Sequence, residues 1–130
     1  MKRIILGLSL LLMLVQNGFA RSDAEWDRLI ANEPDMYWKQ SYKCNKAMHH
    51  PSTSDVNDCL KSIELIKKNP NGGLSLSIVY LNTGVIYNYH NDKLKAYEYY
   101  MKAAKLGGKA GVQAQKNLNN MCKESPWACK

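Results

Sequence analysis

"KAYEYYMKAAKLG", residues 95–107, sets three tyrosines and three alanines within thirteen positions. On a helix turning about 100° per residue, Ala96, Tyr100 and Ala103 fall on one line, flanked by Tyr97, Tyr99 and Ala104. Lys95, Glu98, Lys102 and Lys105 gather on the opposite side. An apolar stripe at this spacing is a packing face. Alanines let a neighbouring helix come close while the rings fill the space beside it. The stretch therefore predicts a helix pair with Tyr100 wedged inside it.

The partner helix lies just upstream. Residues 74–89 are rich in Ile, Val and Tyr, which also suit a strand, but the run is too long for a typical strand and a strong helix follows it. On this fourth helix Tyr80, Gly84 and Tyr87 share a face, and Gly84 leaves room for the next helix. His90-Asn91-Asp92 makes the turn, with Asp92 as N-cap, and Gly107-Gly108 ends the fifth helix.

Breakers divide the rest. Ser22-x-x-Glu25 is a capping box for a short first helix carrying Trp26, Leu29 and Ile30, ended by Pro34. A second helix covers residues 35–48, and His49-His50-Pro51-Ser52-Thr53 reads as a solvated loop. Ser54 and Asp55 cap a third helix carrying Leu60, Ile63 and Ile66, and Asn69-Pro70-Asn71-Gly72-Gly73 is the clearest break in the chain. A sixth helix spans residues 110–121, and an irregular tail begins at Ser125-Pro126.

The order Tyr80, Gly84-x-x-Tyr87, Ala96-x-x-x-Tyr100-x-x-Ala103 resembles the tetratricopeptide repeat, a helix–turn–helix unit of about 34 residues. It is closer still to the Sel-one-like variant: Lys95-Ala96, Tyr99-Tyr100, Lys102-Ala103-Ala104 and Gly107 match that pattern in place. The match covers residues 78–118. Thr83 stands where the family prefers leucine, and Gly108 where proline often ends the unit. Ala114-Gln115-x-x-Leu118 resembles the start of a further repeat that has no second helix, so the sixth helix reads as a cap. The second and third helices have the length of an earlier repeat without its signature residues.

The resemblance implies an all-α fold in which about five or six helices stack as antiparallel pairs into a short solenoid. The first helix of each pair would line a concave surface that binds proteins or peptides. It assigns partner contact to Asn82, Val85, Asn88 and Tyr89 on the fourth helix. Tyr37, Trp38 and Tyr42 of the second add aromatic anchors of the kind enriched at interfaces, although Trp38 equally suits the core.

The chain opens MKRIILGLSLLLMLVQNGFA. Lys2 and Arg3, an apolar run over residues 4–15 and the small residues Gly18 and Ala20 have the anatomy of a secretory signal peptide, residues 1–20. The run is shorter than the roughly 20 residues a bilayer span needs. Cleavage after Ala20 leaves one domain, residues 21–130, with no stable membrane anchor, and lowers the net charge from +7 to +5 as Lys2 and Arg3 leave. The lysines are scattered, which is enough for solubility and does not require an acidic partner.

Cys44, Cys59, Cys122 and Cys129 all follow the signal, and an even count in an exported chain reads as disulfides. Three pairings are open; sequence proximity favours Cys44 with Cys59 and Cys122 with Cys129, the second bounding a tail over residues 122–130. No Cys-x-x-Cys occurs, and the spacings with His49, His50 and His90 match no common zinc pattern, so neither a metal nor another cofactor is expected.

No Gly-x-Ser-x-Gly, His-Glu-x-x-His or glycine-rich phosphate loop is present, and the carboxylates do not pair. Catalytic residues are therefore not assigned. Export disfavours nucleic acid as a partner. The expected function is an exported, non-enzymatic protein–protein interaction module. The resemblance extends to small exported proteins that neutralise toxic enzymes, including periplasmic immunity partners of effectors delivered by type VI secretion. The competing expectation is a small secreted hydrolase or a host-directed factor with a helical fold.

Overall fold

Short polar side chains fix where the helices begin. The computed structural model describes residues 21–51 and 55–130; the expected signal segment and the expected cap at Ser54 lie outside them. Helix α1 is Asp23–Asn32. Ser22 Oγ accepts the Glu25 N–H at 3.2 Å and donates to the Glu25 carboxylate at 3.3 Å. Helix α2 is Met36–His49, capped by Asp35, whose carboxylate accepts the Tyr37 N–H at 2.9 Å. Helix α3 is Asn57–Lys68; its N-cap position is Val56, which has no capping side chain, and Asp55 one residue earlier accepts the Asn57 N–H at 2.9 Å instead.

Helix α4 is Leu76–Tyr89, with Ser75 accepting from Ile78 N–H. Helix α5 is Lys93–Leu106, with Asp92 accepting from Lys95 N–H. Helix α6 is Gly108–Glu124, and a short 3-10 turn, Pro126–Cys129, closes the chain. Gly107 and Gly108 both have positive φ, 76° and 71°, a conformation that glycine adopts without a Cβ penalty. Two glycines thus let α5 turn straight into α6, without the longer connection expected from the sequence.

The described residues are all-α, and both disulfides expected from sequence proximity form, Cys44–Cys59 and Cys122–Cys129. Bridges of this kind persist in oxidising compartments. Helices α2 and α3 form a hairpin stapled by Cys44–Cys59, and Gln40 Nε2 donates across it to the Asp58 carbonyl at 2.8 Å. Helix α4 packs on α2, α3, α5 and α6. It is buried on almost every side, as befits a helix apolar all round. Helix α6 covers both α4 and α5, and the 3-10 turn folds back on α5 and α6.

The α4–α5 seam follows the face expected for it. Tyr100 is 1% exposed, and a Cβ placed on Gly84 would lie 2.6 Å from its ring. Ala96 and Ala103 are buried beside it. Burial, outweighing the hydrogen bonds with Asn117 and Asn88 that lower it, pushes the Tyr100 phenol up to about 12. The ring is therefore neutral and fixed between three helices.

Helix α1 docks on α2 through a small aromatic and charged cluster. Trp26 is buried, stacks on His49 at 5.8 Å and carries the Arg21 guanidinium over its face at 5.3 Å. Lys46 pairs with Asp27 at 2.7 Å, and His50 with Asp23 at 3.2 Å. His49 is therefore no loop residue: it closes the last turn of α2 and is half-buried.

Burial, with the nearby charges of His50 and Arg21, holds the His49 imidazole below its usual value. The unfolded chain then takes up a proton more readily than the folded one. The stability contributed by neutral His49 is fully present above about pH 6.5 and is lost as pH falls below it. The expected result is loosening of α1 as the pH falls below about 6.5, seen as a red shift of Trp26 emission in a Trp38→Phe/Trp127→Phe background. His49→Phe should flatten that dependence; an unchanged slope would assign it to another group.

Candidate functional site

The residues assigned to partner contact do not form one open face. Asn82 is 2% exposed, and its Nδ2 donates to Asn45 Oδ1 at 2.8 Å. It ties α4 to α2 and is corrected from a surface contact to an interhelical link, because α2 covers the side of α4 expected to be free. Tyr37 is buried as well. Its Oη accepts the Leu74 N–H at 3.0 Å and lies where a Gly72 side chain would stand, so it clamps the loop before α4. Trp38 is half-buried and meets Tyr37 edge-on at 5.9 Å, and Tyr42 is half-buried.

Val85 and Asn88 are half-buried; Asn88 accepts from Lys93 Nζ and bonds to Tyr100. Tyr89, 57% exposed at the end of α4, is the most accessible of the seven and stands edge-on to His90 at 5.6 Å.

A different surface has the shape of a site. Helices α3 and α5 both rest on α4, with their backbones held apart from each other. Between them runs a groove of about 400 Å³ with Tyr80 on its floor. Lys61, Glu64 and Lys67 line the α3 wall at every third position, and Tyr99 and Lys102 line the α5 wall. Tyr99 contacts Tyr80 at 5.9 Å and stacks on Tyr87 at 5.6 Å. Lys102, expected among the outward charges, lies across this ladder, 4.8 Å from the Tyr99 ring and 5.7 Å from that of Tyr80. Its Nζ is also 4.0 Å from Glu98.

Burial raises the Tyr87 and Tyr99 phenols above their usual range, so both stay neutral hydrogen-bonding groups at ordinary pH. Lys67 also borders a second, more apolar hollow of about 630 Å³ beside Pro70, Leu74, Leu76 and Leu106. The two hollows share Lys67, in the last turn of α3.

Such a surface can hold a polypeptide. It places no nucleophile beside a base, and among the described residues no three His, Cys, Asp or Glu side chains converge as metal ligands. No family model, curated protein or solved structure matches the chain. No helix among the described residues is long and apolar enough to cross a membrane.

Sequence reasoning missed Lys61, Lys67 and Lys102 as a group. The signal on α3 was Lys61-x-x-Glu64-x-x-Lys67, one stripe of a helix. Its meeting with Tyr99 and Lys102 depends on how two non-adjacent helices straddle α4, which no local pattern encodes.

Proposed function

We propose that this chain is an exported protein–protein interaction module, built as a short stack of the tetratricopeptide/Sel-one-like kind. Its role is to neutralise a toxic enzyme in the periplasm or outside the cell, as an immunity protein does, by binding rather than chemistry. The observation that carries the reading is the packing order. Helix α4 lies across both members of the α2–α3 hairpin, and α6 lies across both α4 and α5. The first helix of each pair, α4 and then α6, thus covers the pair before it, as in a helical stack, and the open side between α3 and α5 is left as a groove. The two disulfides and the signal-like residues 1–20 support the exported setting.

The test is genetic and biochemical together. The protein encoded beside this chain is expressed in the periplasm with and without it, and the two are purified together through a tag on one. The reading expects a stable complex and restored growth. Growth arrest that this chain does not relieve, with no complex formed, contradicts it.

A further inference from the structure

We infer that the groove between α3 and α5 seats an acidic segment of the partner protein, anchored by an aromatic side chain on the Tyr80–Tyr99 floor. This rests on the interaction-module reading and adds the surface and the chemistry of what it holds. Charge is the first argument. Lys61, Lys67 and Lys102 face Glu64 as the one carboxylate along the groove. Among the described residues Lys61 and Lys67 form no ion pair, so their charges are not spent inside the molecule. Lysines facing a common cleft focus a positive potential that exposed lysines on a convex surface do not.

Preorganisation is the second argument. Tyr99 is fixed by Tyr80 and Tyr87, and α5 itself is locked to α4 by Tyr100 against Gly84. A ring laid on this floor would be ordered against side chains that have already lost their freedom, which lowers the entropic cost of binding. Lys102, held over both tyrosines, can accept a carboxylate without leaving them. Room is the third. The backbones of α3 and α5 stay apart, and the groove of about 400 Å³ between them leaves space for a chain along α4.

The probe is a random copolymer of glutamate and tyrosine, fluorescein-labelled and followed by anisotropy at low salt on the complete disulfide-bonded domain. Three variants are compared with it. K61E/K67E/K102E and its milder form K61Q/K67Q/K102Q alter the groove. K109E/K116E/K123E makes the same charge change on α6, which does not contact α3.

The inference expects wild-type binding, a loss of about tenfold or more in the glutamate groove variant and a smaller loss in the glutamine one, with the α6 variant within about threefold of wild type. Tyr99→Ala should weaken the copolymer more than it weakens plain polyglutamate. Equal losses in the groove and α6 variants, or no wild-type binding, overturn the inference. Circular dichroism confirms that each variant keeps its helices. If the groove variant still protects against the neighbouring enzyme, the groove assignment fails while the interaction-module reading stands.

Discussion

Tyr100→Ala should cost about 3–5 kcal/mol and lower the Tm by roughly 12–40 °C, a large share of the roughly 5–15 kcal/mol that holds a domain folded. Two losses add. The ring fills the space above Gly84 between Ala96 and Ala103, and the phenol oxygen joins α4 to α6 through Asn88 and Asn117. Tyr100→Phe removes only the second and should cost about 1 kcal/mol, because half-buried Asn88 and Asn117 can turn to water.

Gly84→Ala is the complementary probe. Alanine gains about 0.5–1 kcal/mol over glycine in a helix. Its methyl, however, would sit 2.6 Å and 2.7 Å from two ring carbons of Tyr100. Overpacking of that kind costs about 1–3 kcal/mol, so the net effect should be a loss. In the Tyr100→Ala background the clash disappears, and the same Gly84→Ala change should stabilise. A double-mutant cycle by chemical denaturation should therefore return a coupling of at least about 1 kcal/mol. Additive effects would mean that Tyr100 and Gly84 do not meet.

The second large effect belongs to Cys44–Cys59. Replacing both by alanine should destabilise the domain by about 3 kcal/mol, the loop-closure value for a separation of about 15 residues, and lower the Tm by roughly 12–24 °C. The reason is local. The α2–α3 hairpin lacks the tyrosine–alanine seam of α4–α5, and its two half-cystines are fully buried where the helices meet. The bridge substitutes for packing, as crosslinks do in small exported domains.

The tail bridge should behave differently. Cys122–Cys129 spans only seven residues and pins the 3-10 turn, with Trp127 60% exposed on it. Its removal should free the tail while α1 to α6 keep most of their cooperativity. Differential scanning calorimetry of the two double-alanine variants decides this; equal drops would show that the tail belongs to the folding core.

What the sequence made legible was local. Glycine, proline and capping residues marked every helix to within a few positions, and the Gly84–Tyr100 contact followed from two stripes at helical spacing. Nearest-neighbour cysteines paired because each pair lies at a short connection between packed elements.

What it hid was tertiary. Asn82 looked like an outward polar residue, yet "LSIVYLNTGVIYNY" is apolar on all sides, which marks a helix surrounded by others. Asn82 then has to find Asn45 to be buried at all. Likewise the lysines of α3 and α5 read as solvated charges, since their convergence on Tyr99 is decided by α4 keeping the two helices apart.

The tyrosine–alanine seam builds the scaffold, and the neighbouring α3–α5 groove is the proposed binding surface. Hydrogen–deuterium exchange of this protein, free and mixed with the product of the neighbouring gene proposed as its partner, addresses both halves at once. The expected result is slow exchange across α4 in either state, with new protection on binding confined to residues 60–67 and 99–102. Protection on α6 and the tail instead, with α3 and α5 unchanged, would contradict it.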